Sequence, residues 1–228
     1  MVAPKGVVIS APRASAAPAS LIAVLAPIQG PGAVLAFAPD DGEDGPDLIV
    51  KDRQFDLRGF TGVAVHGSMD VTIEPGDFSV SAEGDPELVD QLDVTVTDKL
   101  LSITTHKDIE RKGRNSCDRS VHVMVKMPAL DRLDLVGSGD ITAEAFKGSN
   151  KLDLNLRGSG DIRITAFQGL STLSIQLDGS GDVVGDGVEV SGTTRIALAG
   201  SGDVRLEGRT DAIEVKVVGS GDVSVTSF

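Results

Sequence analysis

The tetrapeptide Gly-Ser-Gly-Asp occurs five times in the second half of the chain, starting at Gly137, Gly158, Gly179, Gly200 and Gly219, so the successive spacings are 21, 21, 21 and 19 residues. A period held this closely means that each unit buries its apolar face only against copies of itself, and the chain has to stack. Each tetrad sits in the same frame. Apolar residues alternate before it (Leu152, Leu154, Leu156; Leu173, Ile175, Leu177; Ile213, Val215, Val217) and after it (Ile162, Ile164; Val204, Leu206; Val223, Val225). A period of two marks a strand with one buried face. Two strands and two corners make one coil of a parallel β-helix, and parallel crossovers are right-handed by default. The expected fold is all-β: a right-handed parallel β-helix-like solenoid with coils of about 21 residues. An irregular N-terminal section with one short helix precedes the coils.

Parity assigns the tetrad. Leu135 to Ile141, Leu156 to Ile162, Leu177 to Val183, Leu198 to Val204 and Val217 to Val223 are all six positions apart. In a near-extended chain the glycines then share the inward parity: Gly137 and Gly139, Gly158 and Gly160, Gly179 and Gly181, Gly200 and Gly202, Gly219 and Gly221. They are expected to be structural, letting the chain bend where no inward side chain needs room. The outward parity falls to Ser138 and Asp140, Ser159 and Asp161, Ser180 and Asp182, Ser201 and Asp203, Ser220 and Asp222. Stacked coil on coil, these form one row of hydroxyls and one of carboxylates, the candidate binding residues of the chain. Carboxylates about 5 Å apart repel. Backbone N–H groups in Asx-type turns would offset the repulsion, with a structural role for the row. Ca²⁺, which takes oxygen ligands, or sugar hydroxyls are the functional alternatives. The calcium-binding toxin repeat GGxGxDxUx needs a nine-residue period, which this chain lacks. No cofactor and no metal site is therefore assigned.

A second corner falls between units. Phe146-Lys147-Gly148 and Phe167-Gln168-Gly169 are equivalent, and Val188 takes the Phe place next. The two rings are expected to stack in the core. The spacing of 19 implies a last coil trimmed at Glu207-Gly208-Arg209-Thr210. Upstream, Gly67-Ser68-Met69-Asp70 is a degenerate sixth copy, 70 residues before the first full one, so the solenoid is expected to be interrupted there. Asp85-Pro86-Glu87-Leu88 reads as a helix start, with Asp as N-cap and Pro in the first turn, and the helix should end near Leu92. Strands are expected at 78–82, 94–97, 100–104 and 121–127. The polar segment 107–119, with Arg111, Lys112, Arg114 and Arg119, reads as a loop able to contact an anion.

Taken together, the recurrent GSGD(I/V), the opening FTGVAVHGSMDVTI, the segment AEGDPELVDQL and the run VHVMVKMPALDRLDLVGSGDI resemble the GIN-domain family of bacterial envelope proteins, the auto-transporter adhesin head domains. The resemblance covers about 55–228. It implies a signal peptide, a β-helix-like domain and a periplasmic or cell-surface location, and no particular reaction.

Composition bounds the remaining choices. A net charge of −13 leaves no basic surface for nucleic acid. Cys117 is the only cysteine, which excludes an intramolecular disulfide. Residues 1–38 hold only Lys5 and Arg13 as charges, a short apolar run over 21–26 and a small-x-small site at Ala36-Phe37-Ala38. They read as a signal or leader segment, weaker than the family pattern and too interrupted to span a bilayer. An acidic linker follows over 39–54, then a GIN-type domain over 55–228 with its regular repeats in 131–228. Catalysis has little support. The five Asp are equivalent, whereas a glycosidase differentiates two carboxylates. Trp and Tyr platforms are absent. Ser in G-S-G lacks the nucleophile-elbow frame, and the tetrad lacks the third glycine and helix of a dinucleotide site. His66, His106 and His122 are scattered. The expected role is non-catalytic: an exported envelope or surface protein presenting a rigid β surface for adhesion or assembly. Its expected partner is a surface ligand, either a glycan or an envelope protein, and it is a candidate homo-oligomer. The alternative is a carbohydrate-binding or carbohydrate-processing β-helix protein.

Overall fold

A computed structural model describes residues 50–105 and 120–227. The leader, most of the acidic linker, His106, the basic segment 107–119 and Cys117 lie outside the described residues. The alternating runs form strands as their parity requires. In chain order these are β1 (Lys51–Phe55), β2 (Gly62–Gly67), β3 (Asp70–Pro75), β4 (Ser79–Gly84), helix α1 (Pro86–Asp90), β5 (Leu92–Thr97), β6 (Leu100–Thr105) and β7 (Val121–Met127). There follow β8 (Arg132–Gly137), β9 (Ile141–Glu144), β10 (Lys151–Gly158), β11 (Ile162–Thr165), β12 (Leu170–Gly179), β13 (Val183–Gly200), β14 (Val204–Gly219) and β15 (Val223–Ser227). Strand β1 begins at Lys51, inside the stretch expected to be linker.

The strands stack in parallel as a β-solenoid with two walls. Strands preceding a tetrad or its degenerate copy form one wall, with β6 paired beside β2: β2, β8, β10, β12 and the later halves of β13 and β14. Strands following it form the other: β7, β3, β9, β11, the earlier halves of β13 and β14, and β15. Equivalent residues lie in register, for example Leu133, Leu154, Ile175 and Ile196. The inward rows of both walls meet in one continuous core. Each fully buried Leu, Ile or Val there contributes roughly 1.5–3 kcal/mol. At the second corner Phe146 and Phe167 are buried with ring centroids 5.4 Å apart, and Val188 continues their column. Ala145 and Ala166 turn this corner with φ of 60° and 55°, and Gly187 takes the equivalent place at 64°.

One expectation is corrected. The solenoid is interrupted in sequence but not in space. Strand β2 pairs directly with β8, placing Gly67 against Gly137, and β3 pairs with β9, placing Val71 against Ile141. The intervening residues build the N-terminal end. Strands β6 and β7 form a further rung under β2 and β3. Strand β5 then closes the outer edge of β6, and β4 with β1 closes that of β7, all antiparallel. Helix α1 is held by its N-cap, as Asp85 accepts from the N–H groups of Glu87 and Leu88, and it buries Val89. The shortened spacing of the last coil is also resolved. It comes from two one-residue trims, one at Glu207/Gly208 and one between Thr210 and Ala212.

Candidate binding surface

At the tetrad corner the backbone turns out of one wall and into the other, and its hydrogen bonds must be carried between coils. The serine N–H groups do this directly: Ser159 donates to Gly137 O at 3.0 Å, Ser180 to Gly158 O at 2.9 Å and Ser201 to Gly179 O at 2.9 Å. The next free N–H belongs to the aspartate. It finds a side chain instead of a carbonyl. Asp161 N–H donates to Asp140 Oδ1 at 3.0 Å, Asp182 to Asp161 at 2.8 Å, Asp203 to Asp182 at 2.8 Å and Asp222 to Asp203 at 3.0 Å. The ladder begins one step earlier than the five full tetrads suggest, because Asp140 N–H donates to Asp70 Oδ1 at 3.2 Å. From Asp70 to Asp203 each carboxylate is thus an acceptor for the next coil, not for its own turn as an Asx turn would require.

The glycines have a different reason from the one parity suggests. A Cβ on Gly158 would stand 2.1 Å from Gly137 O, and one on Gly160 would stand 1.9 Å from Gly139 O. The obstacle is the backbone of the preceding coil, not the interior. The same clash recurs at Gly179, Gly200 and Gly219 and at Gly181, Gly202 and Gly221, and for Gly137 and Gly139 against Gly67 and Met69. Met69 itself is tolerated in a glycine position, buried in the core. The rung before it is not a tetrad, since its strands end at Thr105 and resume at Val121.

The hydroxyls of Ser138, Ser159, Ser180, Ser201 and Ser220 are exposed. Among the described residues they have no hydrogen-bond partner. The row of aspartates beside them is exposed at Asp140 and Asp222 and half-buried at Asp161, Asp182 and Asp203. Arg205 reaches Asp203 Oδ2 at 2.9 Å. Among the described residues no three His, Cys, Asp or Glu side chains converge as a metal-holding group. His66 and His122 are both exposed, and His122 stands in register with Asp70.

A second polar surface was not singled out by the tetrads. It lies on the outward parity of the first wall, one residue off the core rows. Arg132, Asp153, Ser174, Arg195 and Glu214 form one row, and Asp134, Asn155, Gln176, Ala197 and Lys216 the next. Contacts run along and across it: Arg132 to Asp134 at 2.7 Å, Asn155 to Asp134 at 2.6 Å and Arg195 to Glu214 at 2.9 Å. Lys151 donates to Asp153 at 2.8 Å, and this hydrogen bond with the carboxylate charge raises the Lys151 pKa. Beside Lys151 and Arg132 a shallow hollow of about 460 Å³ opens, also lined by Asp98, Lys99 and Asp131.

A family model for "Putative auto-transporter adhesin, head GIN domain" matches residues 59–227, which takes in both walls and every tetrad. The chain belongs to this family. The GIN domain is similar to a solved structure described as a "putative adhesin" from Bacteroides fragilis NCTC 9343, at 16% identity and a TM-score of 0.57, covering 78% of this chain and 97% of that one. It is also similar to a "putative lipid binding protein" from Parabacteroides distasonis ATCC 8503, at 20% identity and a TM-score of 0.49, covering 78% and 96% of the two chains. The first likeness is one of fold. No curated protein matches the chain. No helix among the described residues is long and apolar enough to cross a membrane.

Proposed function

We propose that this GIN domain is an exported, non-catalytic surface or envelope protein that adheres through its rigid outer faces. One observation carries the reading. The tetrad corner repeats an outward Ser and an Asp at each coil, on a backbone held by parallel pairing, so the surface presents many similar sites in a line instead of one differentiated centre. Repetition of weak polar contacts favours an extended ligand, because each further site engaged adds avidity. A glycan or an envelope protein fits this description. The unpartnered serine hydroxyls and the second carboxylate oxygens of Asp140, Asp161 and Asp182 favour glycan hydroxyls in particular, by direct hydrogen bonding.

The test is a glycan array probed with the full chain, combined with a measurement of reducing ends released into solution. Saturable binding that weakens when Arg132 and Arg195 are replaced by Ser, or when the tetrad serines are replaced by Ala, supports adhesion. Release of reducing ends would replace it with carbohydrate processing.

A further inference from the structure

The two ends of the solenoid are built differently. At the N-terminal end, antiparallel β5, β4 and β1 cover the edges of the first rung. At the other end, the outer edge of β14 over Asp211–Gly219 meets no strand among the described residues. Its side chains continue the core columns. Val215 follows Ile196, and Val217 follows Leu198. Yet Ile213, Val215 and Val217 are 45%, 49% and 42% exposed, where their counterparts Ile196 and Leu198 are 2%. An exposed, alternating apolar edge with free backbone groups is a template for pairing with another strand.

We infer that the occupant is a second copy of the same edge, paired antiparallel about a two-fold axis at Val215. Register and charge select this pairing. Antiparallel self-pairing keeps the inward face of one copy against the inward face of the other. A shift by one residue would place apolar side chains opposite outward ones. Three registers satisfy this and keep Ile213, Val215 and Val217 overlapped. Centring on Glu214 sets Glu214 opposite its own copy. Centring on Lys216 sets Lys216 opposite its own copy. Both are repulsive. Centring on Val215 sets Val215 opposite Val215, Ile213 opposite Val217 and Glu214 opposite Lys216, the last pair occurring twice. Only this register matches apolar with apolar and acid with base. Lys216 also needs a partner: its neighbour in the preceding coil is Ala197, and among the described residues it has no ion pair. The two-fold uses the same edge of both copies and so closes this contact as a dimer. The inference does not depend on what the polar rows bind.

The test is analytical ultracentrifugation of the full chain with two charge variants, Lys216→Glu and Glu214→Lys, with folding checked by circular dichroism. The native chain is expected to dimerise, and each variant alone to dimerise at least about 10-fold more weakly, because every acid–base pair becomes a like pair. An equimolar mixture of the two variants regains the dimer, since one supplies acids at both positions and the other supplies bases. A native chain that stays monomeric up to about 100 µM overturns the inference. So do variants that dimerise as tightly as the native chain, or a mixture that stays monomeric.

Discussion

At the scale of single residues, two features of the tetrad are demanding and one is not. Glycine is demanded by the carbonyl of the preceding coil. Gly158→Ala places a Cβ 2.1 Å from Gly137 O at φ +133° and is expected to cost about 3 kcal/mol or more, or to prevent folding. Gly148→Ala is the control. It has φ +84° but nothing within 4 Å of the new Cβ, so it should cost only about 1–2 kcal/mol of backbone strain. Equal losses in chemical denaturation would remove the steric explanation. Aspartate is demanded as an acceptor. Two carboxylates one coil apart repel by about 1 kcal/mol in water. The hydrogen bond from a backbone N–H to a charged acceptor is worth about 1.5–3 kcal/mol, so the ladder is stabilising on balance. Asp161→Ala strands the Asp182 N–H and should lose about 1–3 kcal/mol, while Asp161→Asn keeps an acceptor oxygen and should lose less than about 1 kcal/mol. A comparable loss for both would show that charge, not acceptance, is what matters. Serine carries no such demand, because its N–H does the work and its hydroxyl is free.

At the scale of elements, the strands and the helix were legible because their signals are local. The two-residue alternation from Leu152 to Leu156 cannot bury one face in any other regular conformation. Asp85-Pro86-Glu87 starts a helix whatever surrounds it. The pairing partners of β4 and β5 were not legible. Their antiparallel docking on β7 and β6 depends on which edges remain open once the coils have formed. The corner was only half legible for the same reason: parity placed Ser and Asp outward, but the acceptor for each Asp N–H lies 19 to 70 residues away in the chain. Since one oxygen of each inner carboxylate already serves that purpose, Ca²⁺ or a chelator should leave the melting temperature unchanged. A rise of several degrees with Ca²⁺ would assign the row to a cation.

At the scale of the whole molecule, each coil contacts only its neighbours, so local stability should grade along the stack. In the Lys216→Glu chain, amides of Asp211–Gly219 are expected to exchange with deuterium faster than those of Leu152–Leu156, which have a paired strand on both sides. Uniform protection would mean that the solenoid opens as one unit. The two ends also differ in composition: one is closed by antiparallel strands and a capped helix, the other presents Ile213, Val215 and Val217 with flanking charges of opposite sign.

The repeat alone dictated that the chain stacks, how long a coil is, and which residues face in or out, because period and parity are properties of the covalent chain. Three matters were settled through space. Asp70 is the foot of the aspartate ladder, the glycines answer to a carbonyl in the preceding coil, and the strand pair around Gly67 lies directly beneath the one around Gly137. Each rests on contacts between residues 19 to 70 positions apart, and such contacts exist only after the coils have closed on one another.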